Sequence, residues 1–428
     1  MPDDRARLAW GLIGLTAALQ GLRLLVAADT LARGDVVRPP GADRRQEDGQ
    51  DRRQDGREDG PITVLVPIRS GDPLLAPTLA AQVDALDRAH VLLLVDDDDA
   101  AGHAAAQSAR TRAPHRVAVR SFPPADPGTN PKVTKLAAAQ PDEGVVVLLD
   151  DDTVLPRAAL TRMVAALAHG DLVTGIPVYR EQGTVWARLL AAFVNGGALL
   201  THPVLARTGP PVTVNGMALV CRASTLARLG GLASIAHEVC DDYALARLVR
   251  SAGGRIVQTT VAHPVATTVA SPGEYARIQR RWLLFAQQVV RGDLSAAMVV
   301  LVLVPSALPL LALVTTLAAR SRSAVAGAVG VGFAKALALR VLRRRLHPGA
   351  GSRRGVLLEV VADVLTPLHL ARAAVGGRTA VSWRDRQVVT GDDGAPVAVR
   401  AARTAPGAVH APRTVPSAGR ARTAAARP

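Results

Sequence analysis

Two kinds of apolar pattern divide the chain. From Leu8 to Ala27 the sequence LAWGLIGLTAALQGLRLLVA is apolar apart from Gln20 and Arg23, and is long enough to span a bilayer. It reads as an uncleaved anchor. A cleaved signal peptide is the weaker reading, because Asp3 and Asp4 stand where a basic start is usual. Arg33 to Gly60, with RRQEDGQDRRQDGREDG, has almost nothing to bury and reads as a flexible tether. From Pro61 the apolar runs shorten and are punctuated by turn residues. PITVLVPIR predicts a strand, Leu74 to Ala85 a helix, His90 to Val95 a strand, and Ala100 to Arg112 an alanine-rich helix. Arg116 to Phe122 and Val145 to Leu149 add strands, so the alternation predicts a mostly parallel sheet with helices on both faces. A helix near Pro156 to His169, a strand near Leu172 to Tyr179 and a structural, alanine-rich helix from Thr184 to Leu200 continue the pattern. Val212 to Cys221 reads as a strand interrupted by Asn215 and Gly216, where a bulge or a close substrate approach are both open. His237 to Ser251 carries a helical apolar face with Asp241 and Asp242 in its first turn.

Long apolar patterning returns near the end. Ser271 to Val290 contains YARIQRRWLLFAQQVV, a basic helix suited to a membrane surface or to closing over a nucleotide diphosphate. Leu294 to Ala319 is the strongest transmembrane candidate, and Ala324 to Leu342 is a weaker one carrying Lys335. Val356 to Val375 includes Glu359, Asp363, His369 and Arg372 and reads as interfacial or re-entrant. The resulting plan is an anchor at 1–30, a tether at 31–60, a catalytic domain at 61–285, a membrane region of two to three spans or interfacial helices at 286–380, and a disordered basic tail at 381–428.

Charge refines this plan. The formal net charge is +15, yet lysine occurs only at 132, 135 and 335, so nearly all of the 51 basic residues are arginine. The excess sits in a membrane-proximal loop, Arg343 to Arg354, and in the tail, which argues for a cytoplasmic loop and against a nucleic-acid groove. Aromatics make up 3% of the chain, too few to interleave with the basic residues as a single-strand binder requires. Cys221 and Cys240 have no zinc spacing and read as ordinary reduced cysteines.

The chemistry gathers where apolar strands end in acids. GVVVLLDDDT, from Gly144 to Thr153, presents Asp150 and Asp152 at the carboxyl edge of a strand, where open α/β sheets bind ligands. Two carboxylates flanking one residue suit a hard divalent cation shared with substrate phosphates; a solvated acidic turn is the plain alternative. His90 to Val95 likewise ends in Asp96 to Asp99. Between these strands TNPKVTKL, from Thr129 to Leu136, holds two of the three lysines, as a phosphate contact or as a solvated pair at a helix start. Asp242 is either a general base at a cleft edge or a helix-dipole partner.

Taken in order, these segments resemble the membrane-bound family 2 glycosyltransferases, closest to the ceramide glucosyltransferase-like and hopanoid-associated branch. The resemblance covers Pro61 to Trp282 and more loosely extends to Arg386, where GRTAVSWRDR is similar to a late Trp-Arg stretch. It implies a GT-A fold, a Rossmann-like mostly parallel sheet flanked by transmembrane helices. VDDDD at Val95 to Asp99 implies that Asp96 or Asp97 touches uridine, and the Asn-Pro-Lys segment puts Asn130 and Lys132 near the diphosphate. LDDDT implies Mg²⁺ or Mn²⁺ on Asp150 and Asp152, and CDDY places the base on Asp242. IQRRW resembles a (Q/R)xxRW signature, implying that Arg281 and Trp282 bind diphosphate and acceptor; its first position holds Ile278, between Arg277 and Gln279. The implied activity is inverting transfer from a UDP-sugar to a membrane lipid hydroxyl, with the catalytic domain on the cytoplasmic face of the plasma membrane and no nucleic acid partner. A processive polysaccharide synthase and a non-catalytic membrane scaffold are the alternatives.

Overall fold

The computed structural model describes residues 2–38, 60–126, 128–181, 183–347, 353–375, 381–383, 386–390 and 396–401. A long helix, α1 (Pro2–Ala32), leads into β1 (Ile62–Ile68), α2 (Leu75–Ala85), β2 (His90–Asp96), α3 (Ala100–Arg110) and β3 (Val117–Phe122). Then come α4 (Pro131–Ala138), β4 (Val145–Leu149), α5 (Arg157–Ala165), β5 (Leu172–Tyr179) and α6 (Val185–Ala206). The domain closes with β6 (Ala218–Arg222), α7 (Ala223–Arg228), α8 (Asp241–Ser251), β7 (Ile256–Val265) and α9 (Pro272–Asp293).

Seven strands form one sheet in the order β3-β2-β1-β4-β6-β5-β7. The first four are mutually parallel, β6 runs antiparallel to both β4 and β5, and β5 pairs with β7 in parallel. The predicted mostly parallel α/β sheet is therefore what the chain forms. Its central strands are largely apolar because both faces are covered. Val64, Val66, Leu93 and Val147 meet Leu79, Ala106 and Met163 on one face; Leu65, Leu94, Val146 and Leu148 meet Leu136, Leu245 and Val249 on the other. Parallel pairing aligns Ile68 with Val95, so β1 and β2 deliver the residues that follow them to one edge.

Three segments differ from the expected pattern. The predicted strand over Val212 to Cys221 is reduced to Ala218–Arg222, because the backbone of Asn215 is bonded by a side chain: Thr174 Oγ1 donates to its carbonyl and accepts from its N–H, both at 3.1 Å. The tether begins later than 31, since Val36 bridges Thr259 and the Val37 N–H donates to Gln258 O at 2.9 Å. Residues 39–59 lie outside the described residues. The tail is not wholly irregular: β8 (Val381–Trp383), β9 (Arg386–Thr390) and β10 (Pro396–Ala401) form a separate antiparallel sheet, and 402–428 lie outside the described residues.

Beyond α9 come α10 (Ala296–Ala318), α11 (Arg322–Leu346) and α12 (Arg353–Val375). Among the described residues, four helices are long and apolar enough to cross a membrane: α1, α6, α10 and α11. α6 was expected to be merely structural; its apolar length is real, but it packs on β5 and α12 as well. α12, with its acidic residues, is not among the four. Proline shapes α10. Pro305 follows a π-helical turn over Val299–Leu303, and Pro309 has no N–H for the Pro305 carbonyl four residues before it. Gln20 Nε2 on α1 donates to that carbonyl at 3.1 Å.

Candidate functional site

The carboxyl ends of β1, β2 and β4 meet the starts of α4 and α8 around a cavity of 950 Å³. Asn130 and Pro131 begin α4 as a helix-start pair: Asn130 Oδ1 accepts from the Lys132 and Val133 N–H groups at 3.0 and 3.4 Å, and Pro131 sits where no N–H is needed. Asn130 Nδ2 donates to Glu238 O at 2.9 Å, so its side chain is spent on fixing this turn against the α8 approach. It does not line the cavity. The contacts of the Asn130 side chain are thus with the backbone of this turn and of the α8 approach.

Lys132, one turn in, bridges two elements. Its Nζ lies 2.8 Å from Asp150 Oδ1 and 3.0 Å from Asp241 Oδ2. Burial alone would lower this ammonium, but Asp150 and Asp241 hold it above its ordinary value; burial raises Asp150, against the pull of Lys132. Lys135 faces the other way. Its Nζ donates to Ile68 O at 2.8 Å and lies 3.1 Å from Asp96 Oδ1, with burial lowering it and Asp96 opposing.

Asp96 is buried at the cavity wall, where Arg69 Nη1 reaches its Oδ2 at 3.1 Å. Asp97 is exposed and off that wall, so of the two uridine candidates only Asp96 lines the cavity. Asp99 caps α3, accepting from the Gly102 and Ser70 N–H groups at 2.9 and 2.7 Å. Arg69 escaped the sequence reading; the signal was a basic residue ending an apolar strand at the same edge as the acids. Its N–H also donates to Asp151 Oδ2 at 3.1 Å, while all three members of the acidic triplet, Asp150, Asp151 and Asp152, line the cavity. Gln82, also missed, locks the backbone of the triplet by donating to Asp150 O and Thr153 O at 2.8 and 2.7 Å.

Asp242 lines the same cavity. Its Oδ1 accepts from the Tyr243 N–H at 2.7 Å and the Cys240 Sγ at 3.0 Å. Burial, then the neighbouring Asp241 charge, raises its carboxyl above the usual range. Gly216 is required here: an added Cβ would lie 2.8 Å from Asp242 Cβ. The missing side chain, open to reading as a bulge or as room for substrate, makes room for this carboxylate. The same loop holds Asp150, whose N–H donates to Met217 O at 3.0 Å.

On α9, Arg277, Ile278, Arg281 and Trp282 line the cavity, whereas Gln279 is fully buried and donates to Tyr275 Oη at 3.3 Å. Trp282 packs edge-on against Tyr179, with ring centroids 6.0 Å apart. Tyr243 Oη and Arg250 both bond Asp293, at 2.8 Å each, tying α8 to the end of α9. Both cysteines are buried and free.

The residues fit a divalent cation in one specific way. Asp150, Asp151, Asp152, Asp241 and Asp242 line the cavity against Lys132, Arg277 and Arg281, an excess of anionic oxygen that a hard cation would relieve. No cluster of at least three His, Cys, Asp or Glu side chains forms a metal cage among the described residues. Remaining ligands would therefore come from substrate phosphates and water, as is common for Mg²⁺.

No curated protein sequence matches the chain. Among solved structures, it is similar to a mannosyltransferase from Pyrobaculum calidifontis in complex with GDP-Man and Mn²⁺, at 18% identity and a TM-score of 0.40 over 82% of this chain and 99% of that one. It is similar to residues 1–349 of S. aureus TarS, at 14% identity and a TM-score of 0.34 over 78% and 98%. A third is M. tuberculosis glucosyl-3-phosphoglycerate synthase in complex with Mn²⁺, UDP and phosphoglyceric acid, at 16% and 0.34 over 56% and 81%. The model of glycosyl transferase family 21 matches residues 40–395, and the chain belongs to that family.

Proposed function

We propose that this glycosyltransferase moves a sugar, with inversion, from a UDP-sugar to the hydroxyl of a membrane lipid, at the cytoplasmic face of the plasma membrane. One observation carries the reading: a single cavity joins the acidic sheet edge to an apolar chamber walled by helices long enough to cross a bilayer. A soluble donor and a lipid acceptor can meet there without either leaving its own solvent. The arginines at the end of α11 and the start of α12, Arg344, Arg345, Arg353 and Arg354, support the cytoplasmic side.

The chain's own groups then have distinct tasks. Asp96 takes the uridine end, and Lys132 and Arg281 the diphosphate. Asp150 and Asp152 would hold Mg²⁺ or Mn²⁺, which when bound neutralises charge on the diphosphate leaving group. Asp242 removes the acceptor proton; its Oδ1 is committed to Tyr243 and Cys240, so Oδ2 is the oxygen that receives it. Trp282, packed edge-on against Tyr179 on the cavity wall, serves the acceptor in this reading.

Membranes containing the protein, given a panel of labelled UDP-sugars with and without EDTA, test this directly. The expected result is one sugar added per lipid from one donor, abolished by EDTA. No transfer from any donor, together with no metal-dependent UDP binding, overturns the reading; a polymeric product would make the chain a processive synthase.

A further inference from the structure

The cavity continues past the carboxylates between α1, α6, α9, α10 and α12, where its wall turns apolar with Phe193, Val194, Phe285, Val289, Val302 and Leu303. Besides His202, three ionisable side chains interrupt that wall: Arg23, Lys335 and Asp363. Charges among membrane-type helices are costly, so they pair with one another or mark the path of a ligand. Lys335 and Asp363 pair, with Nζ 2.6 and 2.7 Å from the two carboxylate oxygens.

Arg23 is only 4% exposed and has no contact ion pair; Asp363 attracts it from beyond contact distance while held by Lys335, so the three charges together leave one positive. Its Nε and Nη2 donate to Leu200 O at 3.3 and 3.2 Å, and its Nη1 donates to Gln20 Oε1 at 3.0 Å. These partners are neutral oxygens, and guanidinium N–H groups are left over. A neutral donor would serve a carbonyl and an amide equally well. The full positive charge is therefore surplus to the packing of α1 on α6.

The guanidinium is also held in place before any ligand arrives. Gln20 grips Arg23 through Oε1, while its own Nε2 is fixed on Pro305 O, the carbonyl that Pro309 leaves without a ladder donor. A rigid planar fork in an apolar chamber is suited to an anionic oxygen group, and binding there loses little to ordering the site.

We infer that the chamber is an acceptor subsite for an amphiphile bearing an anionic oxygen group, a phosphate or carboxylate, which docks on Arg23 while its apolar body lies against α6 and α10. The inference rests on the transfer reading above and narrows the acceptor class.

The test is equilibrium binding of dodecyl phosphate, dodecanol and inorganic phosphate to the full chain in neutral detergent, with UDP present to fill the donor end. Dodecyl phosphate is expected to bind at least about tenfold more tightly than dodecanol, the scale of one charge-assisted hydrogen bond. Inorganic phosphate should not compete at equal concentration. Arg23→Met should bring the two amphiphiles to within about twofold, and Arg23→Lys should retain part of the preference. Charge-blind binding by the unaltered protein overturns the inference, even where an Arg23 variant does not fold. An undiminished preference in Arg23→Met overturns it too, and inorganic phosphate binding as tightly as dodecyl phosphate replaces it with a soluble anion. UDP binding on the same samples reports the donor reading separately: its absence defeats that reading while leaving the amphiphile preference to be measured.

Discussion

The two ends of the cavity are built by opposite rules. At the sheet edge, charges answer charges: Lys132 lies between Asp150 and Asp241, and Asp96 lies between Arg69 and Lys135. This follows from topology, because parallel strands β1, β2 and β4 end side by side and hand their following residues to one place. In the helical chamber, polar groups instead repair the helices. Gln20 serves the carbonyl that Pro309 orphans, and Arg23 reaches the α6 backbone close to Pro203. At the edge, a polar side chain is informative by its partner; in the chamber it is informative by what remains after the repair, and there Arg23, Lys335 and Asp363 together leave one positive charge.

The contrast breaks first at Asp242. Asp242→Asn keeps the shape and removes the proton acceptor, so kcat should fall about 10²–10⁴-fold, the range for losing a general base. UDP affinity, set at the other wall, should change little; the check is turnover alongside equilibrium UDP binding. Lys132→Met comes next. It leaves Asp150 and Asp241 facing one another without their shared cation and withdraws one charged contact from the diphosphate. Donor KM should rise about tenfold to a hundredfold, in line with about 1.5–3 kcal/mol for a charged hydrogen bond. An unchanged KM would leave Lys132 as a structural bridge.

The sheet edge was legible because its grammar is local: an apolar run that ends in acids predicts a strand and its ligand edge together. Asp150 and Asp152 were found that way, Asp242 by its place in a helix's first turn and the CDDY resemblance, and the three line one cavity. Asn130 was legible too, but as a different message. Asn before Pro is a helix start, and the side chain is spent on that turn. Arg69, Gln82 and Asp241 were not legible, because each matters through a partner far away in sequence, such as Gln82 on Asp150 O. Gly216 was seen as a gap, yet its neighbour, Asp242, could only come from the fold. In the helical region, α6 hid its apolar length behind Asn195, Thr201 and His202, which face inward against β5 or the cavity.

Gln20→Leu sharpens the comparison from the other end. If Gln20 repairs α10, its loss leaves Pro305 O buried without a donor and removes one hold on Arg23, at a cost of about 1–3 kcal/mol. Thermal unfolding in detergent should show this loss while UDP binding stays at its original affinity. A drop in UDP affinity without a drop in stability would mean that the two ends are coupled, and the division drawn above would fail.

The smallest effect is the most discriminating, because its sign is fixed in advance. Asp242 must be unprotonated to act, so activity falls as pH drops through its carboxyl pKa, which burial and then Asp241 push upward while Lys132 pulls it down. Asp241→Asn removes the repelling charge and frees the Lys132 ammonium from a competing partner, and both changes favour the ionised base. The acid limb of kcat/KM should move to lower pH. Lys132→Met removes the attracting charge, so the same limb should move to higher pH. Profiles of the two variants displaced in opposite directions from the parent identify Asp242 as the titrating base. Limbs that coincide with the parent in both variants would assign the proton transfer to a group outside this triad.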